Sequence, residues 1–292
     1  MNPLDLVALT PLMERTSGRS EIAVGLIDGP VSITEAHLTG ANLREVPGAM
    51  RGTCSVASSV ACMHGTFVAA MLATPRESAA PAMCPDCTLL IRPIFLESGT
   101  DDLQMPSATP VELARAIVET VDAGAWILNV SAALVQSSAA DAHELQSALD
   151  YAAARQVIVV AAAGNQAAVG STTITGHPWV IPVIACDGHG RPLDYANLGR
   201  SIGQRGLSAP GDDIVSLGTS GQPTTLSGTS AAAPFVTGAI ALLWSLFPDA
   251  RAHDIRTAVL QNSGVRRGAI VPPLLNGWAA YQSLALSLEV VR

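Results

Sequence analysis

The sequence predicts an α/β protein with a mostly parallel central sheet and helices on both of its faces. Short apolar runs of strand length alternate with helical patterns along the chain, which implies a parallel sheet joined by right-handed crossovers. Composition agrees: 49% hydrophobic, only 14% charged and 4% aromatic over 292 residues, with many Ala, Val and Gly. A chain of that length and character can bury a large core as one tightly packed domain.

The elements follow in order. An apolar run at 22–27 ends at Asp28, so this carboxylate sits at the C-terminal end of a strand, where open α/β sheets place their ligands. After His64, the residues Phe67, Val68, Met71 and Leu72 keep helical spacing and put the imidazole at a helix N-terminus. A second strand is predicted at 89–95. Thr109-Pro110-Val111-Glu112 then forms a capping box with proline at the first helical position, and Ala123-Gly124 ends that helix. A strand at 126–130 follows, and Asp141 with Glu144 is expected to open the next helix in the same way. The run at 157–163 reads as a buried strand ending at Gly164 and Asn165, and 179–185 reads as another. Ser230 opens a long apolar helix in which Val236, Ile240, Leu243, Trp244 and Phe247 recur at helical spacing. Ala231, Ala232 and Ala233 let the start of that helix press closely on the sheet. Stretches 74–87 and 97–108 read as surface loops, and neither a repeat nor an interdomain linker interrupts the pattern.

Composition also excludes function classes. Mean hydropathy is positive at +0.36, but no stretch reaches the roughly 18 uninterrupted apolar residues that a membrane span needs. The longest run, 231–246, contains Pro234 and Thr237 and reads as a buried core helix. A net charge of −8 with no basic cluster argues against nucleic acid as a partner. The first twenty residues lack a basic start, a sustained apolar stretch and a small-residue cleavage site, so an export signal is not expected and a cytoplasmic location is. They are also too short for a folded inhibitory pro-domain.

Four segments carry chemistry, in the order Asp, His, Asn, Ser: VGLIDGPV around Asp28, MHGTFVAAML around His64, VVAAAGNQ around Asn165 and LSGTSAAAPFVTGA around Ser230. Taken singly, each has an ordinary reading as a strand end, a structural histidine, a turn or a helix cap. Their joint occurrence in this order resembles the subtilase family of serine endopeptidases, whose chain order is Asp, His, Ser. The resemblance spans residues 21 to 284. It implies a three-layer subtilisin-like fold, with residues 1–20 as an N-terminal extension and 21–292 as the catalytic domain. It assigns Ser230 as nucleophile, His64 as general base and then acid, and Asp28 as the carboxylate that holds the imidazole. Asn165 and the backbone N–H of Ser230 would stabilise the oxyanion. Ser131, Ala132, Ala133, Ala162, Ala163 and Gly164 would wall the pocket for the residue before the scissile bond, with 172–175 near its floor. LSAPGDDIVSL resembles the family's apolar strand and proline turn, and PDARAHDIRTAVLQNS its late surface helix.

Departures from the family pattern set further expectations. Phe67 stands where many members have a second histidine, which should affect packing and not chemistry. Gly29-Pro30 replaces the commoner Ser/Thr-Gly pair after the aspartate, so the hydrogen bonds around that carboxylate should differ. Ala132-Ala133 replaces Leu-Gly beside the cleft. TPRESAAPAMCPDC has no cluster of oxygen ligands where many subtilases bind calcium, so neither a metal nor a cofactor is expected.

Five cysteines leave pairing open: Cys54, Cys62, Cys84, Cys87 and Cys186. Shared zinc ligation by four of them is disfavoured, because the helix after His64 carries the chain about 15 Å from one end of the sheet to the other. If bonds form, the pairs are Cys54–Cys62 and Cys84–Cys87, whereas a reducing compartment favours free thiols. Three functions fit: a general endopeptidase, a protease that processes one precursor peptide, or a silent fold that only binds peptides. The DGPV turn and the APAMCPDCTLLIRPIF stretch resemble the subtilases that trim precursor peptides in cyanobactin biosynthesis.

Overall fold

The computed structural model of the chain describes residues 2–33, 38, 41–78, 80, 82–97, 107–131, 138–261 and 270–289. Two single-turn helices, α1 (Pro3–Leu6) and α2 (Thr10–Met13), come first. Then follow β1 (Ala23–Asp28), β2 (Leu43–Glu45), α3 (Val60–Ala73), β3 (Thr88–Pro93), α4 (Pro110–Asp122), β4 (Ile127–Val130), α5 (Ala139–Ala154) and β5 (Ile158–Ala162). The rest comprises α6 (Thr173–Gly176), β6 (Val180–Cys186), α7 (Arg200–Arg205), β7 (Leu207–Pro210), β8 (Ile214–Leu217), β9 (Pro223–Leu226), α8 (Thr229–Leu246), α9 (Ala252–Gln261) and α10 (Gly277–Glu289).

Seven strands form one parallel sheet in the order β2-β3-β1-β4-β5-β6-β7, and β8 with β9 makes a separate antiparallel hairpin. The order runs outward in both directions from β1, so the C-terminal ends of β1, β4 and β5 lie side by side. Side chains alternate across a strand, and the core divides accordingly. Val24, Leu26, Ile158 and Val160 pack with Phe67 of α3 and with Val236 and Ile240 of α8. Ile27, Leu128 and Val159 face the other way, against Leu113 and Ile117 of α4 and Leu149 of α5. The three-layer α/β fold expected from the sequence is the fold observed.

Helix α8 is long and apolar enough by composition to cross a bilayer, with mean hydropathy 1.4. Sixteen of its 18 residues are buried inside the protein, which makes it the central core helix. The segment before Glu21, read above as an extension, packs into the domain. Val7, Leu9 and Leu12 are fully buried, the N–H of Gly277 donates to the Val7 carbonyl at 2.9 Å, and Arg15 stacks over Trp278 at 4.4 Å. Arg76 ties the same segment down through the carbonyls of Met13, Thr16 and Met83.

Helix starts follow from local chemistry. Thr109 and Glu112 form the reciprocal capping box predicted for α4. For α5 the expected start at Asp141 is corrected: Ser138 is the cap, and Asp141 answers it from the third helical position. The first turn there is Ala-Ala-Asp, too short of apolar residues to carry a helical period.

Candidate active site

Asp28 is the last residue of β1 and is fully buried. Strand alternation turns its side chain to the face of Val24 and Leu26, which α3 covers. Close backbone contact between the end of β1 and the first two turns of α3 brings His64 to it. The imidazole lies one turn inside the helix and not at its N-terminus, because Ser59 caps the helix five residues earlier. A Cβ on Gly29 would lie 1.9 Å from the Ala61 carbonyl oxygen, and one on Gly65 would lie 2.4 Å from that of Gly29. Neither position has room for a side chain, so the two glycines let helix and strand meet flush. His64 Nδ1 then reaches Asp28 Oδ1 at 2.6 Å, and the Gly29 N–H donates to the same oxygen at 2.6 Å. Pro30 brings no N–H to the turn, and Asp28 Oδ2 has no hydrogen-bond partner among the described residues. Burial pulls the His64 pKa down, but the charge of Asp28 and its hydrogen bond outweigh that, and the net shift is upward.

Ser230 is the second residue of α8, where backbone N–H groups have no intrahelical acceptor. Pro234, four residues on, cannot donate to the Ser230 carbonyl, so the helix start is held from outside. Thr229 does this. Its N–H donates to Asn165 Oδ1 at 2.9 Å, and its hydroxyl accepts the Gly164 N–H at 3.1 Å. With Oδ1 engaged, the amide nitrogen of Asn165 has no acceptor among the described residues and is available to a substrate oxygen.

His64, Asn165 and Ser230 line a single cleft of about 530 Å³. No hydrogen bond joins the Ser230 hydroxyl to the imidazole in this conformation, and such contacts are often loose in apo sites. Ser131, Ala162, Ala163 and Gly164 also line the cleft, as do Thr172 and Ile174. Ser131 is fixed by a buried chain: Asn129 Nδ2 donates to its hydroxyl at 3.2 Å, and Thr237 of α8 donates to Asn129 Oδ1 at 2.8 Å. Ala132 and Ala133 lie outside the described residues. The sequence reading missed Gln166, Asn197, Leu226, Ser227 and Thr229 in the cleft lining. Asn197 sits in an irregular stretch with no periodicity to mark it.

Phe67 is fully buried in the core, in keeping with a packing role. The cysteine expectation needs one correction: Cys54 and Cys62 are joined by a disulfide, while Cys84, Cys87 and Cys186 are free and buried. The bonded pair meets because the loop before α3 folds back on the helix start. Both oxygens of Glu97 hold that loop by accepting the Ser55 N–H, and one also takes that of Val56. Among the described residues, Cys54, Cys62 and Glu97 are the one grouping with metal-ligand spacing, and its two sulfurs are already bonded to each other.

The family model described as the Subtilase family, Peptidase S8, matches residues 20–279. The chain is a subtilase. Subtilisin DY of Bacillus licheniformis is 29% identical over 242 residues, covering 81% of either chain. Among solved structures, a mutant form of the protease domain of PatA is 32% identical with TM-score 0.80, over 92% of this chain and 97% of that one. The prenylagaramide maturation protease PagA is 29% identical with TM-score 0.82, over 94% and 98%. This subtilase is accordingly a subtilisin-like serine peptidase acting on peptide substrates.

Proposed function

We propose that this subtilase trims a precursor peptide, with Ser230 as the nucleophile. The observation that carries the reading is the buried Asp28–His64 pair, 2.6 Å apart, beside the cleft that Ser230 and Asn165 also line. With Nδ1–H given to Asp28, Nε2 carries the lone pair. It accepts the Ser230 proton as Oγ bonds to the scissile carbonyl carbon. The oxygen that becomes negative takes hydrogen bonds from Asn165 Nδ2 and the Ser230 backbone N–H. His64 then gives its proton to the leaving amine as the C–N bond breaks. Water, deprotonated by the same nitrogen, releases the acyl group from Ser230.

Near whole-chain similarity to the PatA protease domain and to PagA supports a precursor peptide as the substrate. Similarity to subtilisin DY favours broader endopeptidase action as the second reading. The intact Asp28–His64 pair opposes a fold that only binds peptides. An organofluorophosphonate should add one label, on Ser230, and none to Ser230→Ala; labelling that persists in the variant refutes the assignment. Mass spectrometry of cleavage products then separates the two substrates. One dominant cut context in a peptide library supports a precursor, and cuts spread over many contexts support the general protease.

A further inference from the structure

We infer that Asn197 is a positioning residue of the oxyanion hole, holding the turn that presents the Asn165 amide. Resting on the reading of Asn165 given above, it adds a cleft-lining side chain that acts through the turn carrying Asn165. The turn at 164–166 leaves the sheet just after β5. Backbone pairing with the neighbouring segment stops at Ala163, whose N–H donates to Val183, and resumes at Ala167, whose N–H donates to Tyr195. Between those points, every hydrogen bond the described residues make to Gly164, Asn165 or Gln166 comes from Asn197 or Thr229.

Asn197 does this with its whole polar inventory. Its Nδ2 donates to the Ala163 carbonyl at 3.0 Å and to Gln166 Oε1 at 2.8 Å. Its Oδ1 accepts the N–H groups of Gln166 and Ala168, both at 3.0 Å. Its backbone N–H donates to the Gly164 carbonyl at 2.9 Å. An amide offers two donor hydrogens and two acceptor sites, and here all four are used on residues flanking Asn165. Gly164 has φ +104°, and a Cβ there would lie 2.4 Å from Asn197 Nδ2, so the amide is packed directly against the turn backbone. Thr229 holds the opposite side of the same turn and belongs to the helix that carries Ser230. The Asn165 amide is therefore set between two clamps, one on the nucleophile's helix and one on Asn197. If the Asn197 clamp is lost, the donor remains present but out of register with the developing oxyanion.

A double-mutant cycle tests this, with kcat expressed per site titrated by an organofluorophosphonate and melting temperature followed alongside. Asn197→Leu, the nearest apolar isostere, should lower kcat on the order of 10²-fold, the scale of a misplacement by about 1 Å, with KM nearly unchanged. Asn197→Asp keeps the acceptor for Gln166 and Ala168 but loses both donations, and should fall in between. In an Asn165→Leu background, Asn197→Leu should cost less than about threefold, because residues acting through one another are not additive. A crippled Asn165→Leu with a wild-type kcat in Asn197→Leu, or full additivity of the two, overturns the role of Asn197 and leaves that of Asn165 standing. A wild-type kcat in Asn165→Leu itself refutes the oxyanion reading, and the positioning role with it. If Asn197→Leu does not fold, Asn197→Asp carries the same cycle, and a loss through KM alone counts against the proposal.

Discussion

The side-chain oxygen of Asn165 accepts the backbone N–H of Thr229 at 2.9 Å, one residue before Ser230. That contact fixes which end of the amide is free, and it leaves the N–H end. Charge builds on the substrate oxygen only as the tetrahedral intermediate forms, so this donor should act on turnover and not on binding. Asn165→Leu is expected to lower kcat by about 10²- to 10³-fold with little change in KM, the magnitude known for loss of the corresponding donor in subtilisin. Steady-state kinetics on any cleavable peptide measures it. A drop in melting temperature with kcat retained would mean that Asn165 only shapes the turn.

The buried Asp28–His64 pair makes two pH predictions of opposite sign. The base must be neutral, so kcat/KM should rise with pH through one ionisation, with its midpoint above the ordinary histidine value of about 6.5. Asp28→Asn removes the group that raises the His64 pKa and leaves burial acting alone, so the midpoint should fall in that variant. Stability runs the other way. A pKa higher in the folded than in the unfolded chain means that the folded state binds the proton more tightly. Its stabilisation is complete below the unfolded value and fades as pH rises through the folded one. Urea titrations of wild type and His64→Gln should therefore converge in midpoint as pH increases.

Cleft chemistry predicts the side chain accepted before the scissile bond. Apart from His64, none of the described lining residues is ionisable, and Ala162, Ala163, Thr172 and Ile174 are small or branched. A buried guanidinium would find no counter-charge there, and an unpaired buried charge is costly. Peptides with Ala or Leu at that position should exceed their Arg counterparts in kcat/KM on the order of 10²-fold. Efficient cleavage after Arg, or a preference for Trp over Ala and Leu, would contradict this picture of the pocket.

The N-terminal segment is expected to matter for stability and not for chemistry. Leu12 is fully buried with the core of α8 and α10, far along the chain from the cleft residues. Leu12→Ala should cost about 2–5 kcal/mol by chemical denaturation, as other buried leucine truncations do. The kcat per titrated site should stay within a factor of about two.

Much of this was legible in the sequence because the scaffold is written in local signals. Continuous apolar runs marked β1, β4, β5 and β6 to within one residue at either end, and β3 to within two. The residues ending β1 and just beyond β5, and those early in α3 and α8, were the chemically capable ones. What was not legible depended on contacts between distant segments. Asn197 meets the 163–168 turn from some thirty positions away, and nothing local distinguishes it from any loop asparagine. The pair Cys54–Cys62 was named from the sequence, but not that it would bond while Cys84 and Cys87 stay free. That depended on how the loop before α3 closes, which Glu97 helps to set from across the chain. Burial of Val7, Leu9 and Leu12 was equally hidden, since two single-turn helices are too short to show a period.

Helix α8 carries Ser230, the proposed nucleophile, in its first turn and continues as a helix buried along almost its whole length. Ser230 is thus anchored to the central core helix, and a loosened core would be expected to displace it from His64. Covalent titration of that hydroxyl should count natively packed molecules one by one. In a stored, heated or refolded preparation, the titrated fraction would serve as a census of intact cores, independent of which peptide the enzyme prefers.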